Sequence, residues 1–400
     1  MGRPAGSDPD SDVIVVGGGH AGLLLALGLD GCGLRVSVIE AMAPEAGPSS
    51  GDDGRALALM YGSKQVLDGL GAWAPVQPFT TPVTGVRVRD LSSGASASYD
   101  AREVGHHPFA YGILNGRLRG ALLQAVRDRA GIELIAPDRL EALSPGGRGL
   151  AVQLASGGQR TAALVVGADG RASSVRRLAG IRAGRWRYDQ TALTFAVHHE
   201  RPHDGLVREF LRPAGPLALL PIGPRQCSIT WVEGGDVARW LAGARPEALL
   251  GRLGEETGGV LGPMRLEGEV RSWPLEGHVA ARPVARRVAL VGDAAHGTHP
   301  IHAQGFNLGV RDVGTLVGLL AEAKQAGRDL GGSGLLLDYA RRRRGDTWLT
   351  VNLTDGLARL FSNDLAPARL IRGIGLSLID GLPPLKAMAM RRGMGLGAPT

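Results

Sequence analysis

Residues 12–40, DVIVVGGGHAGLLLALGLDGCGLRVSVIE, constrain this chain more than any other stretch. Residues 13–16 form an apolar β-branched run, too short for a buried helix, that reads as a central parallel strand. Gly17-x-Gly19-x-x-Gly22 follows at once, then a helical run over 21–29 and a second strand over 35–39. Glu40 closes that strand, 18 residues after Gly22. Each part has a physical reason. Gly17 permits the tight turn, Gly19 lets a pyrophosphate approach the backbone, and Gly22 lets helix and strand pack closely. The amides that open the helix, at His20, Ala21 and Gly22, point at the phosphate, and the helix dipole favours its charge. Glu40 is placed to accept hydrogen bonds from an adenosine ribose. The motif predicts a dinucleotide site and does not separate FAD from NAD.

Composition bounds the rest. Four hundred residues, 44% hydrophobic and 21% charged, suit a soluble globular protein of two or three structural units. The net charge is +7, and residues 341–400 hold ten basic against four acidic residues, so most of the excess is C-terminal. That tail suits anionic partners such as a membrane surface or an acidic protein. It lacks the interleaved aromatics of a nucleic-acid footprint, so no nucleic acid is expected. Cys32 and Cys227 are too few and too far apart for a disulfide framework or a thiolate metal site. Residues 1–12 have no apolar core, and the longest uncharged run, 13–29, contains the glycine turn. Neither a signal peptide nor a span of ~20 continuous apolar residues is expected, and the reading is a cytoplasmic protein.

Further along, residues 42–54 read as a Pro/Gly/Ser-rich loop, 56–60 as a short buried segment, and 64–70 as a helix stopped by Gly71. Arg55 is open to two readings, cofactor-facing or solvated. Residues 83–90 and 92–99 suggest a strand pair with one exposed face. Residues 115–130 place Leu118, Leu122, Leu123 and Val126 on one helical face, with Asn115 as N-cap and Arg119 in the first turns. Strands over 150–154 and 161–166 lead into Gly-Ala-Asp-Gly at 167–170 and a helix capped at Ser173, a second strand–turn–helix unit centred on Asp169. Residues 186–282 change texture. Short β-rich runs at 190–198, 217–221, 226–232 and 269–275, with a helix over 236–254, predict an inserted antiparallel sheet. The nucleotide-type pattern returns with a buried strand at 288–291, Asp293 at its end, and a helix opening at Gln304 or Gly305. The amides around Gly305 and Phe306 form a second positive helix terminus. His296, His299 and His302 recur every three residues, but Pro300 breaks any helix that would align them, so a metal site is not expected.

These motifs together, GGGHAG with Glu40, GADG at 167–170, and GDAAH…P…QG.N…RD over 292–312, resemble the FAD-dependent aromatic hydroxylases, single-component flavoprotein monooxygenases. More narrowly, HPIHAQGFNLGVRD, YDQTALTFAVHHERPHDG and LIDGLPPLKAMAMRRGMG resemble the ubiquinone-biosynthesis hydroxylases, and the likeness runs over about residues 13–395. The resemblance implies an α/β fold: a Rossmann-like FAD-binding domain over 1–82, 103–185 and 283–345, an inserted antiparallel substrate domain over 83–102 and 186–282, and a C-terminal helical region over 346–400. It implies that Gly17, Gly19, Gly22 and Glu40 hold the ADP half of FAD, with Arg55 and Arg119 near the cofactor. Asp169 would contact FAD and NADPH, and Asp293 the ribityl chain. Pro300, Gln304, Gly305 and Asn307 would line the isoalloxazine.

The sequence departs from the family pattern at three places. Gly116 stands where many relatives have arginine, Arg171 and Ala172 are transposed, and His302-Ala303 replaces the commoner Ala-Gly before Gln-Gly. The implied chemistry takes electrons from a transiently bound NAD(P)H and an oxygen atom from O2 to hydroxylate an electron-rich phenol, with no metal. His302 is the weak candidate for a base that deprotonates the phenol. The expected substrate is a polyprenylated phenol. A soluble aromatic secondary metabolite is the alternative, and a non-catalytic FAD-binding scaffold in a biosynthetic complex a further one. A flavin halogenase is disfavoured by the absence of Trp-x-Trp-x-Ile-Pro. Residues 365–395 alternate apolar clusters with Arg369, Arg372, Lys386, Arg391 and Arg392. They read either as an interfacial segment reaching a lipid-dissolved substrate or as a packed helix with solvated charges.

Overall fold

The computed structural model describes residues 9–43, 54–147, 149–362 and 366–396. The first β-branched run is strand β1 (Ser11–Val16), buried along almost its whole length, and the glycine turn leads into helix α1 (His20–Gly31) and strand β2 (Val36–Ile39). The expected surface loop over 42–54 falls largely outside the described residues. Strand β3 (Ala56–Met60) follows it.

Helix α2 (Asn115–Arg127) buries Leu118, Leu122, Leu123 and Val126, as its period predicts. Asn115 is not its cap. The strand Ala110–Leu114 runs straight into the helix, so Leu114 takes the cap position and Asn115 becomes the first helical residue, its N–H donating to Arg55 O at 2.9 Å. Strand β4 (Gln159–Gly167) then lies parallel to β1, with Val13 opposite Leu164. The insert supplies two 17-residue strands, β5 (Ala183–His199) and β6 (Met264–Ala280), and the chain returns through β7 (Val288–Leu290) into helix α3 (Gln304–Gln325). Three helices finish it: α4 (Ser333–Phe361), α5 (Ala366–Gly381) and α6 (Pro383–Gly393).

Among the described residues the strands form three sheets. The first runs Val284–Ala285, β7, β4, β1, β2, Ile132–Ile135, parallel except at its Val284 edge, with an antiparallel pair (Leu140–Gly146, Gly149–Leu154) added to β4. Helices α1 and α3 cover one face, and their leucines and valines fill the main core with Tyr339 of α4. The second runs His296–Gly297, β6, β5, Gln226–Glu233, Leu217–Gly223, Leu206–Leu211, Gly85–Asp90, Ser96–Asp100. The third pairs β3 with Ala110–Leu114 and Thr81–Val83.

The second sheet differs from the sequence reading in three ways. Leu206–Leu211 is a further strand, and it pairs in parallel with Gly85–Asp90 inside an otherwise antiparallel sheet. The strands expected at 190–198 and 269–275 are parts of longer ones, whose further residues are rich in arginine, glutamate and glycine. The helix expected over 236–254 is two, Gly235–Gly243 and Pro246–Thr257, because Pro246 lacks the N–H a continuous helix would need.

Candidate functional site

The site grows from the end of β1. Gly17 has φ +110°, and a Cβ there would lie 2.4 Å from Ala168 O, so the first glycine turn packs directly on the Gly-Ala-Asp-Gly turn that ends β4. A Cβ on Gly22 would lie 1.9 Å from Gly17 O; only glycine fits. Gly19 is different: among the described residues nothing lies within 4 Å of where its Cβ would be. The backbone at Gly19 is bare toward open space, at the amino end of α1, where the unpaired amides of a first turn favour an anion.

Glu40 sits against this turn. Its carboxylate accepts from Gly18 N–H at 2.6 Å and from Met42 N–H at 2.9 Å. Arg119, from α2, donates to Gly18 O at 3.3 Å and stands 4.0 Å from the same carboxylate. The His20 ring is 3.1 Å from Asn115 O through Nε2 and meets the Phe306 ring edge-on at 5.6 Å. Burial lowers the His20 imidazole from its ordinary value. Arg119 and Arg55 push the same way, and the Asn115 carbonyl and Asp293 oppose them. One imidazole thus feels groups from α2, β3's approach and the turn after β7, so these distant segments converge on a single point.

Arg55 lies 4.2 Å over the Trp273 ring of β6, and Ser228 Oγ donates to Gly54 O at 2.9 Å. The dinucleotide half and the second sheet therefore meet at residues 54–55. Asp169 uses one carboxylate oxygen to hold Ser174 N–H (2.6 Å), Ser174 Oγ (2.8 Å) and Val175 N–H (3.2 Å). Its other oxygen is buried and has no partner among the described residues. Asp293 leaves half its carboxylate exposed, 3.3 Å from Arg171 Nε, and takes His278 Nε2–H on its carbonyl at 2.9 Å. Arg171, one of the transposed pair, also donates to Glu276 O at 3.3 Å, so it bridges the turn after β7 to β6.

The loop before α3 carries Ala303 at φ +49°, a left-handed residue that is not glycine, and no side chain among the described residues caps the helix that follows. Gln304 Nε2 reaches Gly393 O at 3.4 Å, and Gly305 lies beside Thr298. Pro300 opens the short turn Ile301–Ala303. The His302 side chain lies outside the described residues. Asn307 is fully buried, donates to Ala58 O (2.9 Å) and Ala303 O (2.8 Å), and accepts from Met60 N–H (2.9 Å). Its amide is spent tying β3 to the start of α3, so what it offers a ligand directly is not that amide.

Other participants were hidden in the sequence. Asp312, buried in α3, accepts from Gly292 N–H at 3.0 Å, His296 Nε2 at 2.6 Å and Arg343 Nε at 2.7 Å. Burial alone would raise this carboxyl, but His296 and Arg343 outweigh it and hold it at about 2. Arg343 continues to Asp346 (2.7 Å), which also pairs with Arg311 (2.7 Å). Arg176 donates to Ala294 O and Arg171 O, both at 2.6 Å. Arg343 sits in a run of four arginines; the one signal is its period, which it shares with buried Leu336, Tyr339 and Thr350.

His296 and His299 are each engaged inside the protein, and among the described residues no group of His, Cys, Asp and Glu could hold a metal. His299, 1% exposed, is pushed down by burial to about 4. An unfolded histidine titrates near 6.5, so the unfolded chain takes up a proton that the folded one refuses. Stability is therefore expected to fall as pH drops from about 6.5 toward 4, by up to about 3 kcal/mol from this group. Urea unfolding at pH 7 and pH 5 measures it, and His299→Gln should flatten the difference.

The C-terminal cations divide. Arg372 is buried against Asp90 at 3.3 Å, and Lys386 pairs with Glu103 at 3.0 Å, so neither is free for an interface; Arg391 and Arg392 are exposed. Side chains at Arg369 and its neighbours lie outside the described residues. Ile374, Leu378, Leu382, Leu385 and Met388 are exposed apolar residues along α5 and α6. Among the described residues no helix is long and apolar enough to cross a membrane.

Known proteins share this architecture. The FAD binding domain family model matches residues 10–354. Ubiquinone hydroxylase UbiL of Rhodospirillum rubrum is 39% identical over 97% of this chain and 90% of its own length. The 3-demethoxyubiquinol 3-hydroxylase of Escherichia coli is 33% identical over 96% of this chain and 99% of its own. In fold, the p-nitrophenol 4-monooxygenase PnpA of Pseudomonas putida superposes with a TM-score of 0.79, covering 96% of this chain and 98% of its own, at 20% identity. The bare backbone at Gly19, the acid at Glu40 and the half-exposed Asp293 fit the phosphates, ribose and ribityl chain of FAD, and the chain belongs to the family of FAD-dependent hydroxylases that contains the ubiquinone hydroxylases.

Proposed function

We propose that this enzyme hydroxylates the aromatic ring of a polyprenylated phenol on the way to ubiquinone, using NAD(P)H and O2. The observation that carries the reading is the 39% identity with a ubiquinone hydroxylase over 97% of this chain and 90% of that protein.

FAD, when bound, supplies the redox chemistry and the activation of oxygen. This chain's residues do the rest. The α1 amino end and Gly19 receive the pyrophosphate. Glu40, already fixed by Gly18 and Met42, keeps lone pairs for ribose hydroxyls. Arg119 and Arg55 balance the phosphate charge from two sides. Asp293 would hold the ribityl hydroxyls, and Asp169, one of whose oxygens has no partner among the described residues, would meet the cofactor or its reductant. Pro300 opens the loop ahead of α3, and Gln304, Gly305 and Phe306 would turn the first-turn amides of α3 toward a bound flavin, stabilising negative charge on it. His302 is the group proposed to take the phenol proton. Trp273 and β6 wall the substrate side, and the sheet around them keeps water from the reacting ring.

Purified enzyme given a polyprenylphenol and a soluble phenol in parallel decides the substrate. The reading predicts a product 16 mass units heavier from the prenylated compound (one oxygen atom added) and NAD(P)H use coupled to it. Turnover of the soluble phenol alone favours the secondary-metabolite alternative, and no coupled NAD(P)H use with either favours the scaffold.

A lipid-dissolved substrate calls for contact with a bilayer. The exposed row Ile374, Leu378, Leu382, Leu385 and Met388, flanked by exposed Arg391 and Arg392, supports an interfacial role for α5 and α6 on an anionic surface. Leu378→Asp with Met388→Asp is expected to lower co-sedimentation with phosphatidylglycerol vesicles by roughly tenfold or more, with the far-UV spectrum unchanged. Undiminished co-sedimentation removes this surface from consideration.

A further inference from the structure

We propose that Gln190 and His299 form a positioning pair that pins the Pro300 loop, and with it the amino end of α3, to the second sheet. The inference rests on the reading of that loop as the flavin's cradle.

The pair exists because β5 bulges. Its ladder with β6 jumps from Arg187 opposite Glu276 to Thr191 opposite Pro274, so residues 188–190 face a single residue of β6. A bulge re-aims side chains out of the sheet. Here it sends Tyr188 and Gln190 toward the loop. Gln190 Oε1 lies 3.2 Å from His299 Nε2, and His299 Nδ1 accepts the Ile301 N–H at 3.1 Å. These two partners fix the neutral tautomer: Nδ1 is bare, and Nε2 carries the proton that Gln190 accepts. The Gln190 amide nitrogen donates onward to Ala214 O at 2.6 Å and to Ser362 Oγ, beyond the end of α4, at 3.0 Å. Tyr188 meets the His299 ring edge-on at 5.0 Å, and its hydroxyl sits between Trp186 Nε1 and Asp355 Oδ1, each at 2.8 Å. Three separate parts of the chain thus meet at one buried imidazole: the bulge, the loop and α4.

The loop needs such a hold. Ala303 occupies a left-handed conformation that costs an alanine about 1 kcal/mol or more, and such a residue persists only where its surroundings over-determine it. Two residues before it, the Ile301 amide is fastened through His299 to the sheet that walls the substrate. Beyond the His296–Gly297 pairing with β6, the hydrogen bond to Gln190 is then a second tie that holds the approach to α3 against that wall. Gln190 touches no reacting group and acts only through His299.

The test uses full-length protein carrying Gln190→Leu, His299→Asn, and both. Asparagine keeps an acceptor near the Nδ1 position for Ile301 but cannot reach Gln190. In cofactor-free protein, Gln190→Leu is expected to speed hydrogen exchange at the Ile301 amide by roughly tenfold. Each single variant should weaken FAD binding by about tenfold and alter the visible circular dichroism of the bound flavin, and the double variant should be no worse than either. Wild-type exchange at Ile301 in Gln190→Leu overturns the pin. So do additive effects, or a lower melting temperature with unchanged FAD affinity and dichroism. If the wild type proves unable to hold FAD, the functional reading fails, while exchange at Ile301 still decides whether the pin exists.

Discussion

Gly19→Ala is expected to give a folded, colourless protein. A Cβ at Gly19 meets nothing within 4 Å among the described residues, so the methyl group costs the cofactor-free chain little beyond a change in local backbone freedom. The same methyl occupies the space through which a pyrophosphate must approach the α1 amides. Affinity for FAD should fall at least about a hundredfold, which is about 2.7 kcal/mol. Gly22→Ala is the contrast. Its methyl would lie 1.9 Å from Gly17 O, in a contact between backbone segments that cannot step aside, so that variant should lose stability itself. Titration of FAD fluorescence together with far-UV circular dichroism separates the two. A Gly19→Ala protein that binds FAD as tightly as wild type places the pyrophosphate somewhere else.

Arg343→Met is expected to cost about 3–5 kcal/mol, because it leaves buried carboxylates short of the cation that offsets their desolvation. Asp312 and Arg343 are each about 2–3% exposed, and Asp312 also holds the Gly292 amide at the turn where Asp293 meets the site. The loss should therefore appear in FAD affinity as well as in the urea midpoint. Its pH dependence has a definite direction. Asp312 sits at about 2 in the folded protein, below the ~3.9 of an unfolded aspartate. It contributes stability that is present above about pH 4 and lost as the pH falls toward 2. Without Arg343 the carboxyl takes its proton at higher pH, so the acid-unfolding limb should move upward. A variant within about 1 kcal/mol of wild type, with the limb unmoved, would mean that His296 alone holds this charge.

What could be read from the letters follows from how local each signal is. The β1–α1–β2 unit is a contiguous pattern, and each glycine's role is set by neighbours a few residues away, so strand, turn, helix and Glu40 were all legible. The Asp293 turn and the start of α3 were legible for the same reason. The helix at 236–254 was misjudged because apolar period continues smoothly across Pro246. The strand Leu206–Leu211 was missed because its partner, Gly85–Asp90, lies more than a hundred residues away and pairs in parallel. Asn115 looked like a cap by type and position, but the strand entering the helix put Leu114 there instead.

The sequence by itself determined that this chain builds a dinucleotide fold with an inserted sheet, because glycine spacing and the two hydrophobic periods are local properties of the chain. Only the tertiary structure decided which of four successive arginines is buried, that Asn307 ties strand to helix, and that a bulge in β5 reaches the loop ahead of α3. Those outcomes depend on which charges and amides lose water together, and burial is a property of the packed chain that no short stretch of sequence carries.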